Sequence, residues 1–264
     1  MTEKFRPNFL NPEIKVGPLN SDKYGQGSFV NVGNLENLPE SIKEKVPSGY
    51  VVKEYKSSDD PVSMARTLFL EGSKELKKDF SIDGIARELK HRNSFVKNYF
   101  ANSLPELVVP TQIIIGKDER TNKKTIYEIQ PRLGSASTAN FATDNQFIEP
   151  IYRYYNFGLE EEKARANELL NNFIIYIKNN FPPETIDRFK NELPVFVKKI
   201  IEMSDKEKYF PYDCAKLNNL LFTEQGLRLI DTNAVMPIPE DGRRWKSTLF
   251  EGSLKILELI ESKL

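Results

Sequence analysis

The 264-residue chain has one cysteine, Cys214, and one histidine, His91. A single thiol excludes an intramolecular disulfide and any cysteine-rich zinc centre, and a single imidazole removes most histidine-based catalysis and metal binding. Net charge is missing too. Lys plus Arg (38) equals Asp plus Glu (38), so no overall basic field draws the protein to nucleic acid or an anionic membrane. The longest apolar run, Phe173 to Ile177, is far too short to cross a bilayer, and Met1 to Pro7 has no apolar stretch behind its charges. No membrane span and no cleaved signal are expected. Cytoplasmic conditions fit best, although a secreted effector would share these absences. Repeats and low-complexity tracts are also lacking.

What is present is concentrated between residues 212 and 233. Asp213 and Asn218 sit five apart on a predicted loop, Asn219 to Phe222 and Leu227 to Ile230 read as short strands about a Thr-Glu-Gln-Gly turn, and Asp231 follows the second strand. Folding that hairpin brings Asp231 beside Asn218, so two oxygen ligands converge while Asp213 remains nearby as a carboxylate. Hard oxygen ligands suit Mg²⁺, and the arrangement is that of a metal-dependent phosphoryl-transfer site. Aspartate and asparagine are also ordinary turn residues, but three ligand-type residues around an apolar hairpin favour the chemical reading.

This spacing resembles the protein-kinase-like superfamily, in which H-R-D-x-x-x-x-N is followed by two strands and D-F-G. Carried over residue by residue, the resemblance makes Asp213 the catalytic aspartate that accepts the acceptor's hydroxyl proton, with Asn218 and Asp231 as Mg²⁺ ligands. There are departures. Pro211 and Tyr212 stand at the His and Arg positions, Ala215 then Lys216 replace the usual lysine two residues after the aspartate, and D-F-G becomes Asp231-Thr232-Asn233.

Upstream, Gly25, Gly27 and Ser28 form a glycine turn ahead of Phe29 to Val32. Glycines let backbone N–H groups approach an anion, though short glycine pairs also make plain hairpin turns. The third glycine of the kinase loop is replaced by Val30. Tyr50 to Tyr55 reads as the next strand, and its Val51-Val52-Lys53 resembles V-A-I-K, which implies that Lys53 bridges the nucleotide phosphates. Lys56 is the alternative should the register differ. A helical glutamate partner is implied as well. Glu88 is preferred over Glu71 because it borders the apolar stripe of a helix leading directly into the next strand; a surface glutamate is the plain alternative for either.

The rest of the pattern fits an α+β, two-lobed, protein-kinase-like fold. Residues 1–130 form a nucleotide-binding lobe with an antiparallel sheet and helix, and residues 131–264 a mainly helical catalytic lobe. Helices are expected over residues 61–78 and from Ser81 or Asp83 to about Asn102, the latter with Asp83 as cap and a stripe of Ile82, Ile85, Ala86, Leu89, Val96 and Phe100. Strands follow at 107–116 and 124–130. The hinge is placed at 128–134, and the resemblance implies that the strand holding Glu128 and Gln130 supplies backbone groups to adenine. Helices are then expected at 159–180, at 184–203 with Pro194 as a kink point, and at 247–264. Residues 152–157, rich in aromatics, read as core rather than as a base-binding stack, and Cys214 as packing. His91 reads as a surface residue. Arg243, Arg244, Trp245 and Lys246 either meet an anionic substrate or cap the last helix.

Together these readings imply a kinase that uses ATP and Mg²⁺ to phosphorylate a hydroxyl acceptor, a protein in preference to a small molecule. A pseudokinase that binds without turnover and a nucleotide transferase on the same fold are the alternatives.

Overall fold

The computed structural model describes residues 30–33, 50–55, 81–118, 123–131, 133, 145–206, 210–217, 219–232, 235–236 and 240–264, some of them by backbone alone. The glycine turn with Gly25, Gly27 and Ser28, the helix expected at 61–78 with Glu71, Lys56, and the proposed ligand Asn218 all lie outside these residues.

The first half forms a four-stranded antiparallel sheet with spatial order β1-β2-β4-β3, where β1 is Val30–Gly33, β2 Tyr50–Tyr55, β3 Gln112–Asp118 and β4 Lys123–Pro131. Isoleucine, valine and tyrosine supply the β-forming content of β2, β3 and β4. The innermost run of β4, Ile126 to Gln130, is buried throughout, in a strand with hydrogen-bonded neighbours on both edges. Helix α1, Ile82–Phe100, lies against β3 and β4. It buries Ile85, Ala86, Leu89, Val96 and Phe100 of the expected stripe, leaves Ile82 half-buried, and adds Arg92. Its cap is Ser81, whose hydroxyl accepts the N–H of Gly84 at 3.1 Å; Asp83 falls in the first turn, where a carboxylate complements the helix dipole.

A helical unit makes up most of the rest. It comprises α2 (Asn145–Phe157), a 3₁₀ turn (Glu160–Glu162), α3 (Lys163–Asn180), α4 (Pro183–Lys206), the single turn α5 (Tyr212–Ala215) and α6 (Glu240–Lys263). The sheet and helices are mixed in the α+β manner. Between α4 and α6 lie two small antiparallel pairs, β5 (Phe210–Pro211) with β8 (Val235–Met236), and the hairpin β6 (Leu220–Thr223) with β7 (Gly226–Leu229).

Several boundaries differ from expectation. The strand predicted at 107–116 begins at Gln112; its first part forms only a parallel bridge from Val108 to Leu229. The helix expected from 159 begins at Lys163, since Gly158 takes a positive φ of 67° that breaks α2 from the 3₁₀ turn. Helix α4 runs through Pro194, which is exposed. The last helix begins at Glu240, so residues 243–246 lie inside it and do not cap it. The hinge predicted at 128–134 overlaps β4, which stays paired through Pro131 opposite Tyr50.

One hydrophobic core joins the helices to the end of α1. Phe173 and Phe189 each meet Phe222 edge-on at 5.4 and 5.1 Å, and Phe100 stacks on Phe196 at 5.8 Å. Offset and edge-to-face rings each add about 0.5–1.5 kcal/mol beyond area burial. Val96, Phe100, Leu104, Leu107 and Val108 therefore belong to the helical core although they precede the expected boundary at 130. The hairpin, through Phe222, is built onto the same core.

The aromatic run in α2 is only partly core. Tyr152, Tyr154 and Tyr155 are half-buried, while Phe157 is exposed. Asn156 is buried among them, its carboxamide against Gly252 of α6, where α2 and α6 approach closely.

Candidate functional site

The β6–β7 hairpin turns on Glu224 and Gln225, as the Thr-Glu-Gln-Gly sequence predicts. Thr223 closes it: its hydroxyl donates to the carbonyl of Gly226 at 2.8 Å and accepts the N–H of Gln225 at 3.2 Å. Gly226 has φ of 99°, a conformation that side chains with a Cβ rarely adopt. All four residues of each strand are buried, so the hairpin is anchored in the core.

Charged groups fix its outer edge. Glu192 of α4 accepts the N–H of Leu227 at 2.7 Å and is itself held by Arg188 at 2.7 Å. The resulting hydrogen bond and the adjoining carboxylates, Glu192 foremost, push the Arg188 guanidinium above its ordinary range. Buried Arg228 reaches Glu106, in the segment after α1, at 2.8 Å. Backbone bonds from Leu229 to Leu107 and from Val109 to Leu229, 2.7 and 3.1 Å, run beside that pair.

Past β7 the chain makes one more hairpin bond, Ile230 N–H to the carbonyl of Asn219 at 3.0 Å. The half-buried Asp231 follows immediately. Residues on both sides of it are held by side-chain amides from the sheet and α1. Gln130, buried in β4, donates to the carbonyl of Ile230 at 2.9 Å and to Thr111 Oγ1 at 2.8 Å. Asn93 of α1 donates to Thr232 Oγ1 at 3.1 Å. Thus Asp231 sits where the hairpin, the central strand and α1 meet.

The other expected residues distribute as follows. Asp213 lies in α5, a single helical turn where a loop is expected; burial of Cys214, Ala215 and Leu217 roots that segment in the core. Tyr152 of α2 accepts the N–H of Leu217 at 3.3 Å. Lys53 lies in β2, where the register places it directly opposite Glu128 of β4. Glu128 is 3% exposed and also pairs with Ile113 on its other side, so its backbone lies between two ladders. Neither Glu128 nor Gln130 stands in a free hinge, because β4 continues past both. Glu88 is partly exposed and accepts Arg92 Nε at 2.8 Å, an (i, i+4) pair within α1. His91 is exposed and Cys214 buried.

The sequence reading missed Asn93 and Glu192, and it assigned Gln130 by its backbone when its side chain carries the contact. One signal was there for Asn93: a hydroxyl, Thr232, where the resemblance has phenylalanine calls for a polar neighbour. Glu192 lies in a helix 35 residues from its partner and has no local signal.

Asp231 carries a hard carboxylate oxygen of the kind Mg²⁺ takes; Asn218, the other expected oxygen donor, lies outside the described residues. Among the described residues no three His, Cys, Asp or Glu side chains gather as a metal cluster, and no helix is long and apolar enough to cross a membrane. Comparison with family models, with curated proteins and with solved structures finds no match.

Proposed function

We propose that this chain is an ATP- and Mg²⁺-dependent phosphotransferase of the protein-kinase-like type, acting on a hydroxyl acceptor carried by a protein. The observation that carries the reading is the position of Asp231. It ends a core-anchored hairpin and is joined, through Ile230, to β4, the strand paired with the one that carries Lys53, and, through Thr232, to α1. Strand order β1-β2-β4-β3, with α1 inserted between β2 and β3, supports a nucleotide-binding lobe, and the helical unit with its hairpin supports a catalytic one.

In this reading Asp213 orients the acceptor hydroxyl and takes its proton as the oxygen bonds to the terminal phosphorus and the bridging oxygen leaves with ADP. Lys53 meets the phosphates from β2. Asn218 and Asp231 hold Mg²⁺, which when bound neutralises charge on the phosphate oxygens. Adenine is met after Pro131, where the pairing of β4 ends, because the ladders occupy the backbone at Glu128. The glycine turn with Gly25, Gly27 and Ser28 covers the phosphates. Rate enhancement comes from positioning and electrostatics more than from covalent chemistry.

A second reading, a nucleotide-binding pseudokinase, is favoured by Glu88, which is engaged by Arg92 within its own helix. Intact-mass analysis separates the two. Purified protein incubated with ATP, Mg²⁺ and hydroxyl-bearing protein acceptors should yield a phosphate increment that Asp213→Ala abolishes. An adenylate increment would indicate nucleotide transfer, and ATP binding with no increment the binding module.

A further inference from the structure

We infer that Gln130 and Asn93 are positioning residues that fix the Asp231 carboxylate for its metal, an inference that rests on the phosphotransferase reading above. Two side chains far away in sequence hold the peptide before and the hydroxyl after this one residue. Gln130 is 100 residues from Ile230, and Asn93 139 residues from Thr232.

The orientation of the Gln130 amide follows from its partners. Its Nε2 has two protons, one spent on the carbonyl of Ile230 and one on Thr111 Oγ1, whose own hydroxyl donates to the carbonyl of Val109 at 3.0 Å. Reversing the amide would set an oxygen against the Ile230 carbonyl, so the donor is fixed where it stands. The Val109 N–H in turn bonds to Leu229, in the strand that leads into Asp231. The result is a closed ring of bonds through β4, the segment before β3, and β7.

On the far side, Thr232 is buried and meets Asn93 on the half-buried flank of α1. With both neighbours held, Asp231 keeps few of the backbone dihedrals that would swing its carboxylate, and a ligand pre-oriented in this way loses less freedom on binding metal. Gln130 and Asn93 come from the sheet and α1, so the contacts also set the metal carboxylate relative to the strand that carries Lys53. Neither side chain has to touch metal or nucleotide.

The test uses full-length protein and the single substitutions Asn93→Ala, Thr232→Val and Thr232→Ser, with Gln130→Ala as a further variant if it folds. ATP binding is titrated by calorimetry without divalent ion and then across a Mg²⁺ series, with the melting temperature measured in parallel. Loss of one hydrogen bond should raise the half-saturating Mg²⁺ concentration about fivefold. Asn93→Ala and Thr232→Val should show this rise singly and no further rise together, with metal-free ATP affinity unchanged, while Thr232→Ser, which keeps the hydroxyl, stays near wild type. A purely structural role would lower the melting temperature and leave the Mg²⁺ midpoint in place, overturning the inference while the wild type's Mg²⁺-dependent binding keeps the reading beneath it. A wild-type protein with no Mg²⁺-dependent ATP binding would overturn both.

Discussion

Glu192 in the middle of α4 accepts the backbone N–H of Leu227 at 2.7 Å, tying the hairpin that leads to Asp231 to the longest helix before it. Leu227 is buried, so removing the carboxylate leaves its N–H without that acceptor, at a cost of about 1–3 kcal/mol. Glu192→Ala should lower the midpoint of urea unfolding accordingly. Glu192→Gln should stay close to wild type, because the amide oxygen still accepts from Leu227 and only the half-exposed ion pair with Arg188 is lost.

Gly226 is the strained corner of the same hairpin. At φ of 99° an alanine is disfavoured, and its Cβ would lie 2.5 Å from Glu192 Oε2. Gly226→Ala should destabilise by about 1–3 kcal/mol through backbone strain, with a further loss from displacing Glu192. In a Glu192→Ala background the second part disappears, so the double variant should be more stable than the two single losses predict by addition. Denaturant unfolding of the four proteins measures this directly.

The contact of α2 with α6 depends on Gly252. A Cβ there would coincide with Asn156 Oδ1, in a buried amide whose oxygen and nitrogen have no hydrogen-bond partner among the described residues. Gly252→Ala should cost about 1–3 kcal/mol by overpacking. Adding Asn156→Ala removes both the collision and an unsatisfied polar group, so the double variant should recover most of the loss in a thermal melt.

Tyr155 gives stability an alkaline limit. Burial foremost, and its neighbour Tyr154, raise the phenol's pKa above 10.0, and its hydroxyl donates to Asn167 at 2.9 Å. The unfolded chain therefore loses this proton first. The stability tied to the neutral phenol is intact below about pH 10 and is lost as pH rises from the unfolded value through the folded one. Tyr155→Phe should be less stable at neutral pH by one hydrogen bond and show a shallower decline above pH 10.

Local pattern carried much of this fold into the sequence. The β-branched and aromatic content of Tyr50 to Tyr55, the stripe of α1 and the Thr-Glu-Gln-Gly turn each reflect neighbours a few residues apart, and the strand, the helix and the turn form where expected. What escaped is long-range. The bridge from Val108 to Leu229, the short β5–β8 pair, and the bonds from Gln130 and Asn93 join segments that no periodicity relates. A strand's hydrophobic pattern also does not mark where its ladder stops, so the hinge was drawn too early, over residues that β4 keeps paired. For the candidate site, Asp231 was legible because it closes a local hairpin. Its supports were not, because they come from the other half of the chain.

Calorimetric titration of ATP into wild type, Asp231→Ala and Lys53→Ala, with and without Mg²⁺, decides whether ATP binds with its metal at Asp231 and its phosphates at Lys53. Wild type should bind ATP more tightly when Mg²⁺ is present, Asp231→Ala should abolish that gain, and Lys53→Ala should bind more weakly under both conditions. Equal ATP affinity in all three proteins, indifferent to Mg²⁺, would contradict that placement.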